Sequence, residues 1–371
     1  MQHELITKMG IADVPRNSSG AEHFVVLDGL RGVAALIVGV MHASQLLIKP
    51  ADYAHLSLAV DFFFCLSGFV IAFAYEERLK AGMSRSEFSA RRVIRLYPMI
   101  FLGSLLGGAV FFIGSMREGG SQIQAIIFTL TSLLLLPGGL FFAGIEAYPV
   151  NNPIWSLFFE VIANFIYAAR ATVSTSALGI AAVVSALALG SMSYFGDGIE
   201  EFGFAGPRYF LGGFIRVAYP FIAGLLLYRF LGAFRFRIQP VFPVAALVAT
   251  LVAPVPSSWG YDVFAVVVAF PAIVWMATLS IGGSFKIPLI VLGEISYPFY
   301  LVHQPILRVL KHIDVFARFA SEYPVLSVAL SLIAISIAAY VTFWVYDQRL
   351  RELVGAYIFR GRRPRTKGRR S

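Results

Sequence analysis

Along this chain the apolar positions do not alternate with polar ones; they come in long blocks. Apolar runs fall near 27–48, 56–75, 93–114, 122–142, 153–169, 172–195, 209–231, 241–254, 260–281, 287–307 and 324–346. Many are close to the roughly 20 residues that one helix needs to cross a bilayer. Inside hydrocarbon only a helix or a closed barrel satisfies its own backbone groups. The pattern therefore predicts an all-α fold, a polytopic membrane helix bundle. The basic segments set its count. Arg78, Lys80, Arg85, Arg91, Arg92 and Arg95 lie between the end of the second run and the start of the third; Arg229, Arg235 and Arg237 mark the end of the seventh and the loop after it; a basic tail follows the last. Loops rich in Lys and Arg stay on the cytoplasmic side. All three fall on that side only if one run before 229 fails to cross. The 122–142 run, interrupted by Pro137, Gly138 and Gly139, is the candidate. The expectation is about ten transmembrane helices plus one re-entrant or interfacial segment, with both termini cytoplasmic. One conflict stands: the outer loop near 308–322 carries Arg308, Lys311 and Arg318 against Asp314 and Glu322.

The implied division is a cytoplasmic N-terminal segment at 1–23, a membrane domain at 24–348 and a basic cytoplasmic tail at 349–371. Composition agrees. The 371 residues are 58% hydrophobic and 14% charged, against about 25% charged in a soluble domain. The formal net charge is +9, and the last twelve residues hold seven cations and no acid. Such a tail suits anionic lipid, so the basic balance calls for no nucleic acid. Cys65 is the single cysteine, which excludes an internal disulfide. The first apolar run has no small-residue cleavage site and is expected to persist as the first span.

Ionisable side chains inside a bilayer are costly and mark function. Arg31 and His42 are eleven residues apart on the first span. That spacing puts them within about 20° of one helix face and about 16 Å apart in rise. Arg31 then sits at the inner mouth, as a snorkelling anchor or as a binding group, and His42 in the outer half. Asp61, five residues into the second span, comes to a similar depth if adjacent spans pack antiparallel. A carboxylate on one imidazole nitrogen raises the basicity of the other, which lets histidine take a hydroxyl proton; the alternative is an ion pair joining two helices. Trp155 suits the interface. Glu160 and Arg216 share a depth, where they either neutralise each other or bind an acceptor. His303, between Pro298 and Pro305, is a second polar wall of the outer cavity or an interfacial histidine. Arg92 and Arg95 lie one turn apart at the inner face, with the bidentate geometry that phosphate favours, or with no more than positive-inside charge. The six histidines show no paired metal spacing, and no Gly-rich phosphate loop or nucleophile elbow occurs.

In order along the chain, Leu27-Asp28-Gly29-Leu30-Arg31-Gly32 with His42, Asp61-Phe62-Phe63-Phe64-Cys65-Leu66-Ser67-Gly68, Arg91-Arg92-Val93-Ile94-Arg95-Leu96-Tyr97-Pro98, Trp155-Ser156-Leu157 with Glu160, and Ser296-Tyr297-Pro298-Phe299-Tyr300-Leu301-Val302-His303-Gln304-Pro305 resemble the acyltransferase-3 family of integral-membrane O-acyltransferases. The likeness extends from about 24 to 348. It departs at Tyr346-Asp347-Gln348-Arg349, which lacks the family's proline, and at Val161 after Glu160. The resemblance implies His42 as the catalytic histidine, and Arg31, Arg92 and Arg95 on the donor side. The reading by depth adds Asp61 as support for His42, and Trp155, Glu160, Arg216 and His303 as acceptor-side or supporting residues. The resemblance also implies a cytoplasmic acyl-CoA donor, acetyl-CoA foremost, a carbohydrate acceptor, lipid as surroundings, no permanently bound cofactor and no metal, in a bacterial inner membrane. His42 acts either as general base or as transient acyl carrier. The competing class is a transporter or flippase for a glycan or lipid-linked substrate. The enzymatic reading requires a passage joining the arginines to the imidazole.

Overall fold

In a computed structural model, the structure describes residues 18–48, 54–196, 198–231, 238–256, 258–280 and 285–359. Among these it is helical throughout, with one isolated bridge, Ile238 to Ser280. Twelve helices are numbered here in chain order. They are α1 (Ser18–Leu47), α2 (Ala59–Lys80), α3 (Arg85–Glu118), α4 (Gln122–Leu133), α5 (Ile154–Ala169), α6 (Thr175–Phe195), α7 (Pro207–Arg229), α8 (Val241–Val252), α9 (Trp259–Thr278), α10 (Lys286–Lys311), α11 (Asp314–Glu322) and α12 (Pro324–Phe359).

Seven of them, α1, α2, α3, α6, α7, α9 and α12, are long and apolar enough to cross a bilayer, against the ten expected from sequence. The difference lies in the short helices. α4 and α8 have 12 residues each and α5 has 16, rises of about 18 and 24 Å against a core of about 30 Å. α10 has 26 residues, but Glu294, His303 and Gln304 interrupt its apolar stretch. The 122–142 run yields only α4 and a 3₁₀ turn at Gly138–Phe141. Between them Leu135 takes φ +58°, and its carbonyl accepts from the Tyr148 hydroxyl at 2.9 Å.

Local sequence sets several helix starts. Ser84 accepts from the Glu87 backbone N–H and Ser121 from that of Gln124, so both have the serine and acidic or amide spacing of a capping box. α3 ends at Gly119, at φ +74°, whose N–H returns to Ser115 O. α12 passes through a π turn at Phe343–Asp347 and runs on to Phe359. The stretch 349–359, expected as tail, is therefore the end of a helix. The first seventeen residues, Arg235, Arg237 and the basic residues from Arg360 on lie outside the described residues.

Two parallel helix pairs form the frame. Arg31 meets Gly293 and His42 meets His303 at sequence separations of 262 and 261, so α1 and α10 run in the same direction. Asp61 meets Arg216 and Glu76 meets Arg229 at separations of 155 and 153, so α2 and α7 are parallel too. Without a hydrophobic drive between helices in lipid, close approach depends on small residues. A Cβ on Gly68 would lie 2.0 Å from Phe221 O, and one on Gly32 2.5 Å from the Leu292 backbone oxygen. The opposite faces are apolar and exposed, as at Ile180, Val183 and Leu187 of α6 and Val325 and Ile337 of α12, which is the expected surface toward hydrocarbon.

Candidate active site

One end of the frame is rich in arginine. Arg31 donates from Nε to Ser296 Oγ at 2.8 Å and from Nη2 to Gly293 O at 2.9 Å. Its Nη2 also pairs with Asp28 Oδ1 at 3.0 Å. Arg92, buried on α3, reaches Glu160 Oε1 at 3.2 Å. The Ser67 hydroxyl donates to that same oxygen at 2.7 Å, and among the described residues Arg92 Nε has no hydrogen-bond partner. Arg31, Arg92, Arg95, Glu160, Ser67 and Ser296 line a cavity of about 110 Å³ between α1, α2, α3, α5 and α10. Its other walls are apolar side chains of α2, including Phe63 and Phe64, and the hydroxyl-bearing Ser156, Tyr297 and Tyr300.

The other end holds a histidine pair. His42 Nδ1 and His303 Nε2 are 2.8 Å apart, with the rings stacked at 5.0 Å. His303 is fully buried, and His42 is partly exposed. The second nitrogen of His303, Nδ1, lies 3.2 Å from Phe299 O. A carbonyl only accepts, so Nδ1 of His303 carries that proton. In a neutral ring its Nε2 is then the acceptor. His42 must donate from Nδ1, which leaves the lone pair on its Nε2, to which none of the described residues donates. One backbone carbonyl thereby sets the tautomer of two imidazoles and makes His42 a base.

The turn before α5 fixes this region. Pro305 has no N–H for Leu301 O; Asn151 Nδ2 donates to that oxygen at 2.9 Å and reaches Gly103 O at 3.2 Å. The Asn152 N–H donates to Gln304 Oε1 at 2.6 Å. Arg308, in the last turn of α10, donates to Pro149 O and Val150 O at 2.8 and 3.1 Å, so its charge is engaged by the same turn.

Several sequence expectations change. Asp61 does not meet His42: both its oxygens receive Arg216, at 2.9 and 2.8 Å, in a pair that is fully buried. Glu160 is accordingly held by Arg92 and Ser67, not by Arg216. Arg216 also donates to Glu200 O and Phe202 O at 3.0 Å. Trp155 is buried, with the Arg216 guanidinium 5.1 Å from its ring, so it is no interfacial anchor. The structure brings Arg31, Arg92, Arg95 and Glu160 to one cavity and His42 and His303 to one pair. His42 does not line that cavity. Tyr300 does, and its ring centroid is 5.9 Å from that of His303. Sequence reasoning passed over Ser156, Tyr300, Ser67 and Asn151. Pro305 was the available signal for Asn151, because a proline inside a buried helix orphans a carbonyl. Among the described residues no group of three or more His, Cys, Asp or Glu side chains could hold a metal ion.

The fold and this site define a multi-pass membrane protein with a cation-lined chamber at one depth and an imidazole base at another. The chain matches the sequence model of the acyltransferase-3 family, described as an acyltransferase domain, over residues 24–346. It belongs to that family, and it is a membrane acyltransferase. A curated relative, protein 2 in the picA locus of Rhizobium radiobacter, is 37% identical over 190 residues, which is 47% of this chain and 96% of that protein. No solved structure matches the chain.

Proposed function

We propose that the protein moves a short acyl group, acetyl foremost, from cytoplasmic acyl-CoA to a hydroxyl of an envelope or exported glycan. It does so in a bacterial inner membrane, with both termini on the cytoplasmic side and no permanently bound cofactor. The observation that carries this reading is the His42–His303–Phe299 chain, which leaves a bare imidazole nitrogen on His42. The placement of Arg31, Arg92 and Arg95 on one cavity supports a phosphate-bearing donor, since guanidinium groups bind phosphate through paired hydrogen bonds. The small volume of that cavity favours a short acyl group.

In this mechanism the donor phosphates rest on the arginines, and the thioester arm extends toward Ser156 and Tyr300. His42 Nε2 takes the proton of the acceptor hydroxyl as its oxygen attacks the thioester carbon. The C–S bond then breaks, and the thiolate leaves with the proton from His42. Asp61 and Arg216 take no part beyond holding α2 against α7. The test uses purified protein in detergent or nanodiscs, acetyl-CoA and an envelope polysaccharide extract, with free thiol as the readout. Thiol release that depends on the acceptor and disappears in His42→Ala is expected. Acceptor transport without thiol release would support the flippase class and overturn this reading.

A further inference from the structure

Neither His42 nor His303 lines the arginine-lined cavity, but a hydroxyl pair in its wall, Ser156 and Tyr300, adjoins His303 through the Tyr300 ring. Ser156 Oγ and Tyr300 Oη are 2.8 Å apart, and Ser156 Oγ also lies 3.1 Å from Pro153 O. Both residues line the cavity. The Tyr300 ring is held edge-on by Phe63 at 5.6 Å, and its centroid is 5.9 Å from that of His303. Tyr300 is on the same helix as His303, one turn before it, so its position relative to the base is fixed by backbone.

A buried hydroxyl needs a partner, and here each has the other. Ser156 has one proton and two acceptors in reach, Pro153 O and Tyr300 Oη. When its proton goes to Pro153 O, Tyr300 donates to Ser156. When it goes to Tyr300 Oη, the phenol proton is released toward the cavity. The pair can thus switch one donor from wall to ligand with no change of backbone.

We propose that Tyr300 is a catalytic residue of the acyl transfer, the hydrogen-bond donor to the thioester carbonyl, with Ser156 as its positioning residue. This rests on the donor reading above. As the acceptor oxygen attacks, the carbonyl oxygen gains negative charge, and the O–H of the buried Tyr300 stabilises it. The new C–O bond forms, the proton of the acceptor goes to His42, and collapse of the intermediate breaks C–S and returns the proton to the thiolate. Tyr300 keeps its own proton throughout.

The test is steady-state thiol release by Tyr300→Phe, Ser156→Ala and Ser156→Thr beside the unaltered protein. Phe keeps the ring contacts to Phe63 and His303. Tyr300→Phe is expected to lower kcat about 10²-fold, with the donor KM within about threefold and the thermal unfolding midpoint unchanged. Ser156→Ala should lower kcat several-fold, and Ser156→Thr should restore most of it. Activity of Tyr300→Phe within twofold of the unaltered protein overturns the proposal. So does a loss that appears only in donor KM or in unfolding temperature. Should Tyr300→Phe not fold, unchanged kcat in Ser156→Ala overturns it equally. If the unaltered protein releases no thiol at all, the donor reading has failed, which is a different result.

Discussion

His42 depends on a neighbour that carries no charge. His303 accepts from His42 only while its own Nδ1 is tied to Phe299 O, so the pair works by tautomer rather than by ionic attraction. Replacing His303 by Ala removes the acceptor and frees the His42 ring. Acid–base help is worth about 10²–10⁴ in rate, and a kcat drop in that range, with the donor KM little changed, is expected from thiol-release kinetics on His303→Ala. His303→Gln can still offer an amide oxygen to His42 Nδ1 and should retain more activity than His303→Ala. Asp61 calls for the opposite test. Removing one partner of a buried pair leaves an uncompensated charge and costs about 3–5 kcal/mol. Asp61→Ala and Arg216→Ala should each lower thermal stability in detergent sharply, and the double variant should recover part of it. A loss of activity at unchanged stability would instead return Asp61 to the chemistry. Arg31 and His42 were readable from the chain because they share one helix, where eleven residues determine both face and depth. The partner of His42 was not readable, since pairing the first two spans by adjacency put Asp61 where His303 belongs. The helix that packs most intimately on α1 comes some 260 residues later.

The helices depend on close contact in the parallel pairs, and those contacts rank the glycines. A Cβ on Gly68 would collide with backbone, Phe221 O at 2.0 Å, whereas one on Gly29 meets first the tip of a flexible side chain, Leu289 Cδ2 at 2.2 Å. Overpacking costs about 1–3 kcal/mol where the surroundings can move. Gly68→Ala is therefore expected to unfold at a clearly lower temperature than Gly29→Ala, with differential scanning fluorimetry as the measure. The same reasoning applies to α10. Asn151→Ala would orphan Leu301 O, a loss of about 1–3 kcal/mol for a buried carbonyl. Adding Pro305→Ala, which restores a helical N–H for that oxygen, should give part of it back. Hydrophobic blocks revealed the existence of nearly every helix. Their lengths were less visible, because an apolar run continues through a turn that shields its own polar groups. The 122–142 block is apolar to its end, yet Tyr148 and Leu135 close it into a turn after Leu133.

For the whole molecule, the direction of the chain across the membrane ties the site to its two substrates. α1 and α10 run from the arginine end to the histidine end, and α2 and α7 run back, so in the proposed reaction donor and acceptor would enter at opposite ends of one frame. On that proposal the basic segment between α2 and α3 should face the cytoplasm, and the turn between α4 and α5 should face out. Cys65 is the single cysteine and is fully buried, so the unaltered chain offers a dark background for thiol labelling. Ser84 and Ala143 are exposed in those two connections. With a membrane-impermeant maleimide, Ala143→Cys is expected to label in intact spheroplasts, and Ser84→Cys only after the membrane is opened. The unaltered protein should stay unlabelled in both. If the two positions exchange behaviour, the arginines face outward, the donor cannot be a cytoplasmic acyl-CoA, and His42 would serve an acceptor on the inner side. If both label in intact spheroplasts, the two connections share a side, and either α3 does not cross or α4 crosses back. The orientation is thus open to a direct measurement that needs neither the acceptor nor any activity, and it decides which compartment supplies each substrate.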